Sequence, residues 1–413
     1  MLSFEDEAIL RLNGSHLVQF INCKLLRNHC LVDEHLWVEN GRIVNPEPIF
    51  FEQRRSAGAV IDCKGAIIAP GFIDIQINGG YGVDFSSDVE HIGRGLSTVA
   101  KGLVANGVTS FCPTIISSPP EHYHSALSKY KKEYRRKDNE ANVLGFHLEG
   151  PFINVEKKGA HPPVHLRDGF ENGFDDLKRM YGEENLDLIR MITLAPELKN
   201  ATSIIEELTR RGIRVSLGHS MASLTQGEIA ARHGATALTH LFNAMLPFHH
   251  RDPGIVGLLT SKKIPQGRPF FYGAIADGVH THDSALRIAH RTHPEGLILV
   301  TDAFKALGLA EGIHNLGDVM VEVRGKRATV AGTDTLAGSI SPLDYLVRHF
   351  IEAASCTAVD ALECASLHPA QCLGIEKTKG TLSFGADADF VLFDDQLHVL
   401  STFIAGKRVW CRG

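Results

Sequence analysis

The chain has no run of 18 apolar residues, and its opening MLSFEDEAIL lacks the basic start and apolar stretch of a secretory signal. Neither a membrane span nor export is expected, and a cytoplasmic setting is. Its eight cysteines, at 23, 30, 63, 112, 356, 364, 372 and 411, include no CxxC pair. Over 413 residues that scatter suits reduced, mostly buried thiols better than a disulfide framework. An excess of positive charge is missing too: 42 Lys and Arg face 48 Asp and Glu, for a net charge of -6. The one basic cluster, Lys129 to Lys137, falls in a helix-like stretch and reads as a solvated face, so no nucleic-acid partner is expected. No internal repeat or low-complexity tract appears. A composition of 44% hydrophobic and 22% charged residues excludes wholesale disorder.

What the chain does have is histidine, 22 in all, many of them between Phe146 and His293. That points toward metal or acid–base chemistry. The setting is a rhythm of short apolar runs: Phe72–Asn78, Val108–Thr114, Val143–Glu149, Leu188–Leu194, Ile213–His219, Thr236–Leu241, Phe270–Ala276 and Leu297–Asp302. Most are separated by helix-like stretches, and the interval between the sixth and seventh is the least helical. Continuous apolar runs alternating with helices predict a buried parallel sheet, and eight of them predict a (β/α)8 barrel. A hairpin over Val319–Val330 and amphipathic helices from Leu343 to Leu373 are expected after the eighth strand. Both ends of the chain have a different texture, with short β segments punctuated by Asn-Gly, Lys-Gly and Ala-Gly-Lys turns. The expected architecture is therefore a barrel over residues 69–374 with a small β-sandwich domain built from residues 1–68 and 375–413.

Polar residues collect where these strands end: Gln76 and Asn78, His147 and Glu149, His219, His240 and Asn243, Asp277 and His280, and Asp302. Any one of them alone is better read as a hydrogen-bonded structural residue or a helix cap. Their joint occurrence changes the reading, because burying such groups without partners costs several kcal/mol. Glu149, His219 and His240 lie on strands three, five and six, so a barrel converges their side chains at its mouth, where active sites of this fold sit. One carboxylate and two imidazoles leave a fourth position open, the ligand set of a hydrolytic zinc site. Asp302, ending strand eight, fits a general base that takes a proton from the attacking water and returns it to a leaving group.

Several of these segments are also motifs. The chain resembles the amidohydrolase superfamily, and within it the deacetylases of N-acetylated amino-sugar phosphates, over nearly its full length. The resemblance rests on Ala69-Pro-Gly-Phe-Ile-Asp74, His147-Leu-Glu149-Gly-Pro151, Lys158-Gly-Ala160-His161, Gly218-His219-Ser220, Thr239-His240-Leu-Phe-Asn243-Ala-Met245, Ala276-Asp277-Gly-Val-His280, Thr301-Asp302-Ala303, Leu336-Ala337-Gly338-Ser339 and the run from Gly380 to Asp389. Many members of the superfamily end strand one with His-x-His and supply a bridging carboxylated lysine from strand four. Here Gln76 and Asn78 replace the histidines and no such lysine is present. Amides are poor zinc ligands, so the departure implies a single-metal enzyme and counts against a binuclear dihydroorotase or hydantoinase.

The resemblance implies one divalent ion per subunit, with zinc the expected one, held by Glu149, His219 and His240. It implies Asp302 as catalytic acid and base, and His161 beside the acetamide carbonyl as a donor to the developing oxyanion. Arg251 and His280 would take the sugar phosphate, with Arg251 reaching the neighbouring subunit of a homodimer. Ala160, Asn243, Ala244, Asp277, Leu336, Ala337 and Gly338 would complete the sugar pocket. The implied partner is a small amino-sugar phosphate. The implied reaction is hydrolysis of N-acetylglucosamine 6-phosphate to glucosamine 6-phosphate and acetate. A related substrate such as N-acetylgalactosamine 6-phosphate, or a catalytically silent sugar-phosphate scaffold, are the alternatives. From the residues alone, Arg251 in His249-His250-Arg251-Asp252 reads as a surface salt-bridge residue.

Overall fold

In the computed structural model, which describes residues 1–11, 17–265, 267–316, 319–334 and 336–413, the middle of the chain forms a ring of eight strands. They are β1 Phe72–Ile77, β2 Val108–Ile116, β3 Phe146–Glu149, β4 Ile189–Leu194, β5 Arg214–Leu217, β6 Ala237–Leu238, β7 Phe271–Ala274 and β8 Leu297–Leu299. Each pairs in parallel with the next, from β1 through β8. The seam between β8 and β1 is joined by the segment just past β8 and the end of β1, where Asp302 N donates to Gln76 O at 2.9 Å and Asn78 N to Ala303 O at 2.7 Å. The run expected as Val143–Glu149 is broken. Residues Asn142–Val143 pair separately on β2, and the chain re-enters the sheet at Phe146.

Helices α1 Ile92–Leu103, α2 Pro120–Glu133, α3 Phe174–Tyr181, α4 Ala201–Arg210, α5 Leu224–His233 and α6 Asp283–Thr292 lie outside the ring. Each turns an apolar stripe inward. In α1 it is Ile92, Leu96, Val99 and Leu103, at helical spacing. Between β6 and β7 the place of a helix is taken by a seven-residue 3-10 turn, Gly254–Thr260, as the weak pattern there predicts. Helices α7 Leu343–Ala354, α8 Ala358–Ala365 and α9 Leu367–Leu373 complete the outer layer. No helix of the described residues is long and apolar enough to cross a membrane.

The two chain ends build two sheets. One contains N-terminal strands alone, with Val18–Ile21 flanked by Ala59–Asp62 and Leu36–Glu39. The other is mixed: Ile67–Pro70 pairs with Lys24–Arg27 on one side and with Phe390–Phe393 on the other. Phe390–Phe393 is buried on both faces, hence its unbroken Phe-Val-Leu-Phe. Phe390 and Leu392 face the core between the two sheets, where Phe20 meets the Phe390 ring edge-on at 5.1 Å. Val391 and Phe393 face the barrel's own core, against Phe72. The strand Ile67–Pro70 spans the boundary expected at residue 69.

The hairpin expected at Val319–Val330 is the centre of a larger unit. Gly312–Leu316, Val319–Arg324, Arg327–Val330 and Leu336–Gly338 form a four-stranded antiparallel sheet. It is tied back to the barrel by the segment that follows β8, where Phe304 N donates to Ser339 O at 3.1 Å.

Candidate active site

The ends of β3, β5 and β6 bring three side chains to one point. Glu149 Oε1 lies 3.0 Å from His219 Nε2 and 3.1 Å from His240 Nε2, and the two nitrogens are 3.0 Å apart. All three residues are buried. His219 Nδ1 donates to Lys157 O at 2.7 Å, which leaves the Nε2 lone pair of the neutral ring facing Glu149. Lone pairs of two imidazoles and a carboxylate oxygen converging at this separation repel unless a positive charge lies among them. The titration behaviour expresses the same demand. Burial alone would raise Glu149 and lower His240, but their hydrogen bond and mutual attraction reverse both. Glu149 is held well below the usual carboxylate range and His240 is lifted to about 9. A divalent cation would supply that charge, so these donors fit one.

Gln76 and Asn78 attend the site without completing a second metal position. Gln76 Nε2 donates to Glu149 Oε1 at 3.1 Å, and Asn78 Nδ2 donates to Asp302 Oδ1 at 2.7 Å. Asp302 is half-buried, and desolvation followed by repulsion from Glu149 pushes its carboxyl above the ordinary range. The backbone is strained where it delivers these groups: φ is +48° at His219, +30° at His240 and +45° at Asp302. Residues with a Cβ avoid that region, and its cost concentrates at functional sites.

His161 arrives on the loop after β3. Its ring centroid lies 4.5 Å from that of His219, and its nitrogen falls in one ligand-sized cluster with Glu149 and His219. Ser117 N donates to His161 Nδ1 at 3.2 Å, so that nitrogen carries the lone pair and Nε2 carries the proton. Burial, reinforced by the neighbouring His219, holds His161 down to about 3. It is therefore a neutral hydrogen-bond donor. His280 is the opposite case. Burial opposes its charge, but Asp277 Oδ2 at 2.6 Å from Nδ1 raises it, while Asp277 is itself fixed by the backbone N–H groups of Val279 and His280.

Other expected residues line the surroundings. Ala244 O accepts from Ser220 N at 3.1 Å, joining the loops after β5 and β6, and Asn243 sits in the same turn. Ala160 is exposed beside His161. Leu336, Ala337 and Gly338 form the strand that leads to Ser339, and a Cβ on Gly338 would meet Phe304 Cδ1 at 2.8 Å. Arg251 is not brought into this cluster. It is exposed, and its guanidinium has no hydrogen-bond or ion-pair partner among the described residues, so the surface salt bridge read from its neighbours is not formed.

Ser117, Glu197 and the bonding that links His147 to its neighbours went unseen in the sequence. Ser117 orients His161. Glu197, just past β4, accepts from Asn154 Nδ2 at 3.0 Å, Ser220 Oγ at 2.7 Å and Met221 N at 2.7 Å, binding the loops after β3 and β5 together. Beneath the mouth runs a buried relay in which Ser216 Oγ, Thr239 Oγ1, Thr193 Oγ1 and His147 Nε2 follow one another at 2.6, 2.7 and 2.8 Å. It ends at Ile75 O, which accepts from His147 Nδ1 at 2.9 Å and so sets the direction of every bond. The position of Glu197 at a strand end, as polar as the others, was the available signal.

The amidohydrolase family model matches residues 67–409. N-acetylglucosamine-6-phosphate deacetylases of Mus musculus and Homo sapiens are each 58% identical to this chain over 397 residues, covering 96% of either chain. Among solved structures, a mutant of N-acetyl-D-glucosamine-6-phosphate deacetylase from Mycobacterium smegmatis, in complex with N-acetyl-D-glucosamine-6-phosphate, superposes with a TM-score of 0.80. It is 29% identical and covers 96% of this chain and 100% of its own. Because the family match takes in all eight barrel strands together with the ligand-bearing loops between them, the chain belongs to the amidohydrolase family.

Proposed function

We propose that this protein hydrolyses the acetamide of N-acetyl-D-glucosamine 6-phosphate, yielding D-glucosamine 6-phosphate and acetate. The observation that carries the reading is the convergence of Glu149, His219 and His240 to within 3.1 Å of one another. They would hold one divalent ion per subunit, zinc by the nature of the donors. Bound there, the ion supplies Lewis acidity toward the acetyl carbonyl and toward water. The rest is the work of this chain's own groups. Asp302, its carboxyl raised above the ordinary range and steadied by Asn78, takes the proton of the attacking water and passes it to the departing amine nitrogen. His161 donates Nε2–H to the carbonyl oxygen as negative charge gathers on it, and its neutral state keeps that proton from being lost to the oxygen. His280, whose hold on a proton Asp277 strengthens, and Arg251, whose guanidinium has no partner among the described residues, suit a phosphate. Arg251 lies outside its own site cluster, which favours a homodimer in which it serves the neighbouring subunit. The backbone around Ala160, Asn243, Ala244 and Leu336–Gly338 would complete the sugar pocket. The catalytic unit is residues 69–374, carried on a β domain of residues 1–68 and 375–413. Eight free cysteines suit the reducing cytoplasm.

The test is acetate release by zinc-loaded protein from N-acetylglucosamine 6-phosphate, N-acetylgalactosamine 6-phosphate and unphosphorylated N-acetylglucosamine. Preferential turnover of the first supports the whole reading. Equal turnover with and without phosphate keeps the hydrolase and removes the phosphate role of Arg251 and His280. Preference for the galactosamine compound reassigns the substrate. Metal bound with no turnover of any of the three makes the protein a silent scaffold.

A further inference from the structure

We propose a second cation site on the outer helical layer, in which His290, Cys356 and Asp360 bind a borderline-soft divalent ion such as zinc. One ligating atom from each of the three lies within 4.8 Å of the others, and all three residues are half-buried. They come from different elements. His290 is in the last turn of α6, Cys356 follows the left-handed C-cap Ser355 of α7, and Asp360 is in the first turn of α8.

Each atom is available. His290 Nε2 is buried and has no hydrogen-bond partner among the described residues, while its ring is fixed edge-on against Phe350 at 5.5 Å. A buried imidazole nitrogen left unpaired costs stability, and a cation would satisfy it. Asp360 uses Oδ2 for the capping box with Thr357, leaving its other oxygen without a protein hydrogen bond among the described residues. Among the described residues, Cys356 Sγ makes only a weak 3.9 Å contact with Phe350 O. Thiolate, imidazole and carboxylate with a fourth position open to water form a tetrahedral donor set that favours zinc over magnesium or calcium. Burial, then the charge of Asp360, pushes the Cys356 thiol up to about 12. The ion must displace that proton, so binding tightens as pH rises. Bound, it would staple α6 to the α7–α8 junction, on the helix that begins just after the Asp277–His280 turn.

Cobalt distinguishes this site from the one at the barrel mouth, whose donors include no sulfur. Titrating the whole protein with Co2+ should produce a near-ultraviolet thiolate-to-cobalt charge-transfer band that saturates once one cobalt per subunit is bound beyond the ion at the barrel mouth. The band should vanish in Cys356→Ser and in His290→Ala, each binding one cobalt fewer per subunit, with acetate release at the wild-type level. Absence of the band at cobalt concentrations that restore full activity overturns the proposal, as does its survival in either folded variant. Should a variant fail to fold, alkylation of the wild-type protein decides. Zinc should protect Cys356, and equal alkylation with and without zinc would refute the site.

Discussion

Asp302, just past β8, and Asp74, on the neighbouring β1, are two carboxylates both pushed upward by desolvation, with opposite consequences. Asp302 faces the mouth and must be ionised to accept a proton. Replacing it with Asn keeps the hydrogen-bonding shape and removes the base, so kcat should fall by roughly 10²–10⁴-fold while metal content is unchanged. Because its carboxyl is raised, the acid limb of kcat/KM should rise with pH about a midpoint above the ordinary carboxylate value of about 3.9. A pH–rate profile with a midpoint at or below that value would remove Asp302 from this role. Asp74 is wholly buried lower in the barrel, where it accepts from Thr301 Oγ1 at 2.5 Å. Burial lifts it to about 7, against the pull of that bond. Its folded-state pKa lies above its unfolded one, so the folded chain holds a proton that the unfolded chain releases. Stability therefore falls as pH rises from about 4 to about 7. Relative to Asp74→Asn, the wild type should lose up to about 4 kcal/mol across that window, read as urea midpoints at several pH values. Parallel curves for the two proteins would count against it.

Elements differ in how well their residues announce them. The eight barrel strands were legible because a strand buried on both faces needs an unbroken apolar run, and few other structures do. Strand ends bearing Glu149, His219, His240 and Asp302 were legible because apolar runs otherwise have no cause to stop on such residues. The four-stranded sheet was half legible: its inner hairpin carries Val and Met, whereas Leu336–Gly338 is a short strand with no pattern of its own. The hold of Lys157 O on His219 is backbone chemistry, which no side-chain pattern encodes. Glu197 was missed because its role depends on which loops lie beside it. Those loops carry Asn154 and Ser220, next to ligands on two different strands. Glu197→Ala should therefore weaken zinc affinity by about 10–100-fold without removing a ligand, as loss of an outer hydrogen-bonding partner does elsewhere. Competition with a zinc chelator measures it, and unchanged affinity would limit Glu197 to holding the loops.

For the whole molecule, the unpaired Arg251 sets the question of assembly. Chains carrying Arg251→Ala and chains carrying Asp302→Asn should each be nearly inactive toward the phosphorylated sugar. If the protein is the proposed homodimer, co-expression gives mixed dimers in which a chain with Asp302 would receive Arg251 from its partner. Random pairing should restore about a quarter of wild-type activity, since half the dimers are mixed and each has one intact site. If Arg251 serves its own site, mixing restores nothing.

The seam that closes the barrel has a consequence for biosynthesis. Asp302 N bonds Gln76 O, and Asn78 N bonds Ala303 O, so the carboxylate proposed as the catalytic base sits on the latch between the first strand and the eighth. More than half the chain must have left the ribosome before those two segments can meet. A chain that stops short of Asp302 lacks both of those bonds and with them the carboxylate that the proposed reaction needs. Acetate release during refolding should accordingly lag behind the recovery of helical circular dichroism, and its onset would mark the moment the ring is shut.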